Sequence, residues 1–348
     1  FDPTLILWRS SSQWIGGLYF LIFLIFLFSN KGFNYKMTDL TFNGESNFNS
    51  EENIKNNILR IFLIYSILSF ICLTLLNLSG IRLFNSLNLT MTLVSTGGFL
   101  PLNSLNEIII TNTHKIIFSI CLILSMLNFY LLFNIFNKKT IIKNHKEDIY
   151  LLTLALVLVL LIYFYKFTFL EIILSVLSSL ANSGLTLINV DNNLSLYFLF
   201  ITVIGGSIIS NTSGIKLSRF YILLKSTSAE IIKLISPNSV INKSIFNSDK
   251  KITDENIRIS FLIFISFFLS LFILSSFLVL DNIGFEKSFK LAILTLTNTV
   301  NSEMYGLENL NFTNLLTSSK ISIIIFMIIG KIELISIFLI FKKFFFKD

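Results

Sequence analysis

Apolar stretches of about 20 residues, the length that crosses a hydrocarbon core, recur along the chain. They lie at approximately 8–28, 58–78, 115–136, 150–167, 194–210, 257–280 and 319–341. Between them lie three shorter apolar runs, 83–94, 169–180 and 285–296. Each is half the length of a span and ends in small or polar residues. The pattern span, half-helix, turn, span therefore repeats at 58–136, 150–213 and 257–341, as expected of tandem structural units. The first span reads as the closing span of a further unit whose front half is absent. Boundaries are expected at 1–56 (closing span of repeat 1 and a linker), 57–148 (repeat 2), 149–256 (repeat 3) and 257–348 (repeat 4). The fold class is all-α and membrane-embedded, with the repeats around a pseudo-fourfold axis.

Charge supports one orientation. If every span crosses once, about 17 of the 27 basic residues fall on a single side, the cytoplasmic one by the positive-inside rule. They include Lys31, Lys36 and Lys55, then Lys138, Lys139, Lys143 and Lys146. The segment 214–256 adds Lys216, Arg219, Lys225, Lys233, Lys243, Lys250 and Lys251, and the tail Lys342, Lys343 and Lys347. All three half-helix turns then open on the opposite face.

The turns carry the candidate chemistry. They are Thr96-Gly97-Gly98, Asn182-Ser183-Gly184 and Asn298-Thr299-Val300. A ring of loops that aims backbone carbonyls inward can replace the hydration shell of a cation. Helix C-termini add partial negative charge. One such turn alone is equally an ordinary outer loop; three at equivalent places argue for a filter. A second irregular stretch interrupts the fifth span with Gly205, Gly206, Ser207, Ser210, Asn211 and Gly214. Unwound backbone at membrane depth must be satisfied by protein or cavity water, so this reads as a loop across the pathway, a gate. The alternative is that the span ends near Ile204. Lys331, near the middle of the last span, either meets the polar groups of this loop or snorkels to the inner interface. Asp191, Asp281, Glu286, Glu303 and Glu308 lie on the outer side, where they either concentrate cations at a mouth or are solvated loop charges.

Composition narrows the classes. The 348 residues are 53% hydrophobic and only 14% charged, against about 25% charged in soluble domains. The 38 phenylalanines carry no functional weight. Cys72 and Cys121 fall in apolar spans, which predicts buried thiols without a disulfide framework. With His114 and His145 as the only histidines, no metal or catalytic cluster is expected. An enzyme is the weakest reading, because no nucleophile–base pair is available. The chain opens at Phe1 without a basic leader, and an N-terminally truncated chain is expected.

At these residues the chain resembles the Trk/Ktr/HKT superfamily of potassium-transporter pore subunits, particularly the bacterial TrkH/KtrB type. The stretch Leu7-Trp8-Arg9-Ser10-Ser11-Ser12-Gln13-Trp14-Ile15-Gly16-Gly17 resembles the segment after that family's first pore loop. Ser95 to Phe99 resembles its second filter turn, and Met126-Leu127-Asn128-Phe129 the following span. Ile204 to Arg219 resembles its gating loop, and Gly330-Lys331-Ile332-Glu333 a Gly-Arg-X-Glu site of its last helix. The resemblance implies a four-repeat pore with one filter glycine per repeat, so Gly98 and Gly184 are expected filter glycines, with potassium as transported ion and no other cofactor. It also implies a homodimer in the lipid bilayer of the bacterial cytoplasmic membrane, bound to a cytosolic nucleotide-binding regulatory subunit of the TrkA/KtrA type, and no nucleic acid. Val300 stands where the family has its fourth filter glycine, Ile209 and Ser213 replace gating-loop glycines, and Lys331 replaces an arginine. The expected function is monovalent-cation uptake, of potassium above all. The alternative is a non-conducting or sodium-permeable paralogue serving as a scaffold or regulatory subunit.

Overall fold

A computed structural model describes residues 2–29, 51–102, 104–129, 131, 145–164, 167–188, 192–237, 244–247, 251–281, 283–307 and 312–332. Among them the elements are helical. In chain order they are α1 (Pro3–Ser29), α2 (Glu51–Leu78), α3 (Leu83–Val94), α4 (Asn112–Met126), α5 (Lys146–Ile162) and α6 (Phe169–Leu180). Then follow α7 (Asn192–Ile204), α8 (Leu217–Ile235), α9 (Asp254–Leu280), α10 (Phe285–Leu296) and α11 (Thr317–Ile332).

The three half-helices α3, α6 and α10 are each 12 residues long, with the bounds that the apolar runs mark. Each is seated by its own repeat and by the repeat before it. Thus α3 packs on α1 as well as α2 and α4, α6 on α4 as well as α5 and α7, and α10 on α7 as well as α9 and α11. At the start of α6 the Glu171 carboxylate accepts from the Thr168 amide at 3.3 Å, satisfying a donor the helix leaves open. Glu171 also pairs with Lys115 of α4 at 2.8 Å, which fastens repeat 2 to repeat 3.

Burial is distributed as in a protein solvated by lipid. The outer faces expose Leu63, Phe70, Phe261, Leu269 and Phe272, while Ser86, Asn88, Thr92, Ser175, Ser178 and Thr202 are fully buried. Polar groups turned inward and bulky apolar ones outward suit hydrocarbon surroundings. By length and composition, Ile58–Leu78 and Asp254–Leu280 can each cross a membrane. Both cysteines are buried and unbridged.

Two spans depart from the continuous helices that the apolar pattern predicts. The 115–136 span leaves helical geometry at Leu127 (φ −74°, ψ 163°). No Pro or Gly marks the break; the freed amides of Asn128 and Phe129 are taken by Asp148 Oδ1 and the Ile209 carbonyl, each at 3.0 Å. The span expected over 194–210 ends as a helix at Ile204, where Gly205 turns to φ +70°. Counting inner-loop charges also overstates the solvated ones. Lys216 and Arg219 are 2% and 1% exposed, because α8 folds back onto α9 and α5. The expected inner residues Lys31, Lys36, Lys138, Lys139, Lys143, Lys243, Lys250, Lys342, Lys343 and Lys347 lie outside the described residues, as do Asp191, Glu308 and Glu333.

Candidate functional site

The three half-helices end in one and the same turn. After the last helical residue come Ser95, Ala181 and Thr297, still near helical angles. The next residue is left-handed in each: Thr96 (φ 55°), Asn182 (φ 56°) and Asn298 (φ 51°). Its amide donates three residues back, Thr96 to Leu93 at 3.0 Å, Asn182 to Ser179 at 3.1 Å and Asn298 to Thr295 at 3.1 Å. The following amide reaches five residues back, Gly97 to Thr92 at 2.7 Å, Ser183 to Ser178 at 3.0 Å and Thr299 to Leu294 at 2.9 Å. This is the Schellman arrangement, built on a non-glycine residue in all three repeats.

A left-handed Thr or Asn is uncommon, and for β-branched Thr96 it is a strained choice. Each of these side chains ties its turn to a neighbouring element. Thr96 Oγ1 donates to the Asn211 carbonyl at 3.0 Å. Asn182 Nδ2 donates to the Thr202 carbonyl of α7 at 2.8 Å, while its Oδ1 accepts from the Ser213 amide at 3.2 Å. Asn298 Nδ2 donates to the Met327 carbonyl of α11 at 2.9 Å.

Two positions beyond the left-handed residue, the turns converge. Gly98 (φ 74°) and Gly184 (φ 71°) are again left-handed, whereas Val300 is not. A Cβ on Gly98 would meet the Ser183 carbonyl oxygen, with Val300 Cγ2 3.0 Å away. One on Gly184 would meet the Val300 carbonyl oxygen, with Thr299 Cγ2 3.0 Å away. Gly98, Ser183, Gly184, Thr299 and Val300 therefore share one small volume. Val300 departs from the glycine pattern in the manner expected of a β-branched residue, which resists positive φ.

Beneath these turns lies the irregular segment 205–216. It is not an exposed inner loop: Gly205 and Gly206 are buried, and Ser207, Ser210, Asn211 and Thr212 are completely so. Asn211 Nδ2 donates to the Val94 carbonyl, at the C-terminal end of α3, at 2.8 Å. The Ser207 amide donates to the Met126 carbonyl at 3.2 Å, and the Ile215 amide to Val203 at 2.9 Å. Gly214 (φ 83°) lies close against the Thr202 and Val203 carbonyls. Lys331 enters from α11: its ammonium donates to the Asn211 carbonyl oxygen and sits 5.0 Å from the centre of the Phe20 ring. Of the two expectations for this lysine, the loop contact is the one observed.

Some residues around the site were not singled out by sequence. Gln13 of α1 donates through Nε2 to the Gly97 carbonyl at 3.1 Å. Arg9 donates to the Leu100 carbonyl at 3.0 Å and lies 4.5 Å from the centre of the Phe99 ring. Glu147 accepts from the Ile208 amide at 3.1 Å. Glu147 and Asp148 belong to a stretch that looks like a charged inner loop, and only packing shows them buried. Glu286, itself largely exposed, pairs with buried Lys290 at 2.7 Å, and Asp281 accepts from the Leu316 amide at 2.9 Å. A cavity of about 610 Å³ adjoins the turns, lined among others by Gln13, Phe20, Thr96, Thr295, Asn298 and Lys331. No cluster of three or more metal-ligating side chains occurs among the described residues.

No protein-family model matches the chain. It is 28% identical over 360 residues to an uncharacterized cation transporter of Methanocaldococcus jannaschii, covering 99% of this chain and 71% of that protein. It is 26% identical over 308 residues to the Trk system potassium uptake protein TrkG of Escherichia coli, covering 83% of this chain and 61% of that one. The fold matches the crystal structure of the potassium transporter TrkH from Vibrio parahaemolyticus with a TM-score of 0.82, at 19% identity, over 98% of this chain and 72% of that one. Sequence relatives and fold together support the resemblance to the Trk/Ktr superfamily.

Proposed function

We propose that this chain, a multi-pass membrane protein of the Trk/Ktr type, conducts monovalent cations, potassium above all, through a pore whose narrowest part is the ring of half-helix turns. The carrying observation is the convergence of Gly98, Gly184 and Val300 at the ends of three identically capped half-helices. Those C-termini direct partial negative charge at the shared volume, and main-chain oxygens there take the place of hydration water. Thr96, Gly97, Asn182, Ser183, Asn298 and Thr299 build the turns that hold the ring. The segment containing Gly205, Gly206, Ser207, Ser210, Asn211 and Gly214, fastened by Lys331, is the gate below it.

The named relatives are transporters, which supports the transport reading over an enzymatic one. Uptake down the electrochemical gradient across a bacterial cytoplasmic membrane, as a homodimer with a cytosolic nucleotide-binding regulator, fits the family resemblance. Rubidium tracer uptake into liposomes holding the full-length protein is the test. Uptake above empty liposomes is expected, and its absence for both rubidium and sodium would refute the reading. The second reading, a non-conducting scaffold, draws on one observation: Val300 keeps the fourth turn out of the glycine conformation.

A further inference from the structure

The gate segment contains a cation of its own. Lys216 is 2% exposed, and its ammonium is surrounded by oxygens of the loop that precedes it. It lies 3.2 Å from the Ser207 carbonyl, 3.4 Å from both the Ser210 carbonyl and Oγ, and 3.0 Å from Thr212 Oγ1. It also contacts the Thr212 carbonyl oxygen. An ammonium has three protons to donate, so the five oxygens gathered around it share those protons in three-centre hydrogen bonds. The backbone is bent to allow this. Lys216 takes φ +74°, a region that residues with side chains rarely enter. Local strain of that kind persists where surrounding structure over-determines it. Here the Leu217 amide is held by the Gly206 carbonyl at 3.2 Å, which closes the 206–217 loop on itself.

Resting on the pore reading above, we propose that Lys216 is the gate's tethered counter-ion. Its ammonium occupies a cage of hydrogen-bond acceptors made by residues 207–212, and filling that cage with an N–H donor holds the loop across the pathway. The outer rim of the same loop carries the contacts to the filter side, through Asn211 to Val94, Thr96 and Lys331. Emptying the cage unties the loop from within while leaving those outer contacts their partners. Lys216 is thus a positioning residue for conduction.

The experiment is rubidium uptake into liposomes by the full-length protein and its Lys216→Ala variant. Basal uptake is expected to rise about tenfold, within the roughly 5- to 150-fold that such couplings span. Millimolar n-propylammonium, which restores the missing ammonium, is expected to bring uptake back toward the wild-type level without affecting the wild type. Tetramethylammonium has no N–H to donate and is expected to leave it high. Unchanged uptake in Lys216→Ala, or equal action of the two amines, would overturn the proposal. Should Lys216→Ala fail to fold, Thr212→Val removes one cage oxygen at constant shape. A two- to threefold rise is then expected, and no rise refutes the cage. If wild type and variants are all silent, the pore reading fails and this proposal falls with it. A conducting wild type with an indifferent Lys216→Ala overturns the cage alone.

Discussion

Substituting Gly98 by alanine tests the convergence of the turns most directly. Two penalties meet there. The first is conformational: at φ +74° a residue with a Cβ costs about 1–2 kcal/mol relative to glycine. The second is steric, because the new methyl would overlap the Ser183 carbonyl oxygen, which is backbone and cannot swing aside. Ser183 is held by its amide to the Ser178 carbonyl at 3.0 Å and by its hydroxyl to the same oxygen at 3.2 Å. Withdrawing it would break the cap of α6, at about 0.5–1.5 kcal/mol per bond. Together these place about 2–5 kcal/mol on the geometry of the turns. At 1.4 kcal/mol per factor of ten, rubidium uptake should fall by about thirtyfold or more. Gly80→Ala is the internal control. It has φ +101° but nothing within 4 Å of the added Cβ, so it bears the first penalty without the second. Its uptake should remain near wild type, with only a modest loss of thermal stability. If Gly98→Ala and Gly80→Ala conduct alike, the ring of turns is not the narrow part of the pathway.

Other outcomes can be stated more briefly. Val300→Gly should allow the fourth turn to take the left-handed conformation of Gly98 and Gly184, raising the rubidium-to-sodium uptake ratio several-fold. A silent variant beside a silent wild type would favour the scaffold reading. Lys331→Met removes the donor to the Asn211 carbonyl and should raise basal uptake in the same assay, whereas Lys331→Arg should keep it low. Asp148→Ala leaves the buried Asn128 amide without the acceptor seen at 3.0 Å. An unsatisfied buried donor costs about 1–3 kcal/mol, visible as a lowered melting temperature in detergent. Lys115→Ala, by contrast, breaks a partly exposed pair with Glu171 and should change stability by less than about 1 kcal/mol.

The half-helices were legible in the sequence because composition punctuates them. Leu83–Val94, Phe169–Leu180 and Phe285–Leu296 are apolar runs closed by Ser-Thr-Gly, Ala-Asn-Ser and Thr-Asn-Thr. The glycine turns and the cluster at Gly205-Gly206 announce irregular backbone for the same reason. The end of α4 at Met126 is another matter. Its neighbours Leu127, Asn128 and Phe129 carry no breaker, and the helix stops because Asp148 and Ile209, distant in sequence, compete for its amides. The buried charges followed suit. Lys216 and Arg219 read as an inner loop's charges, and their packing, like that of Glu147 and Asp148, is a tertiary effect that no periodicity encodes. Thr96 in a left-handed conformation was also beyond local reading, since propensity alone argues against a β-branched residue there.

The seating of each half-helix against the span that closes the preceding repeat has a consequence for how such a molecule can be taken apart. The repeats are interleaved like overlapping tiles, so a cut between two of them separates α4 from α6, or α7 from α10, and strips a half-helix of one wall of its socket. No single repeat is a module that could be excised, transplanted or duplicated without its upstream neighbour. During synthesis, a half-helix has its back wall waiting before it emerges.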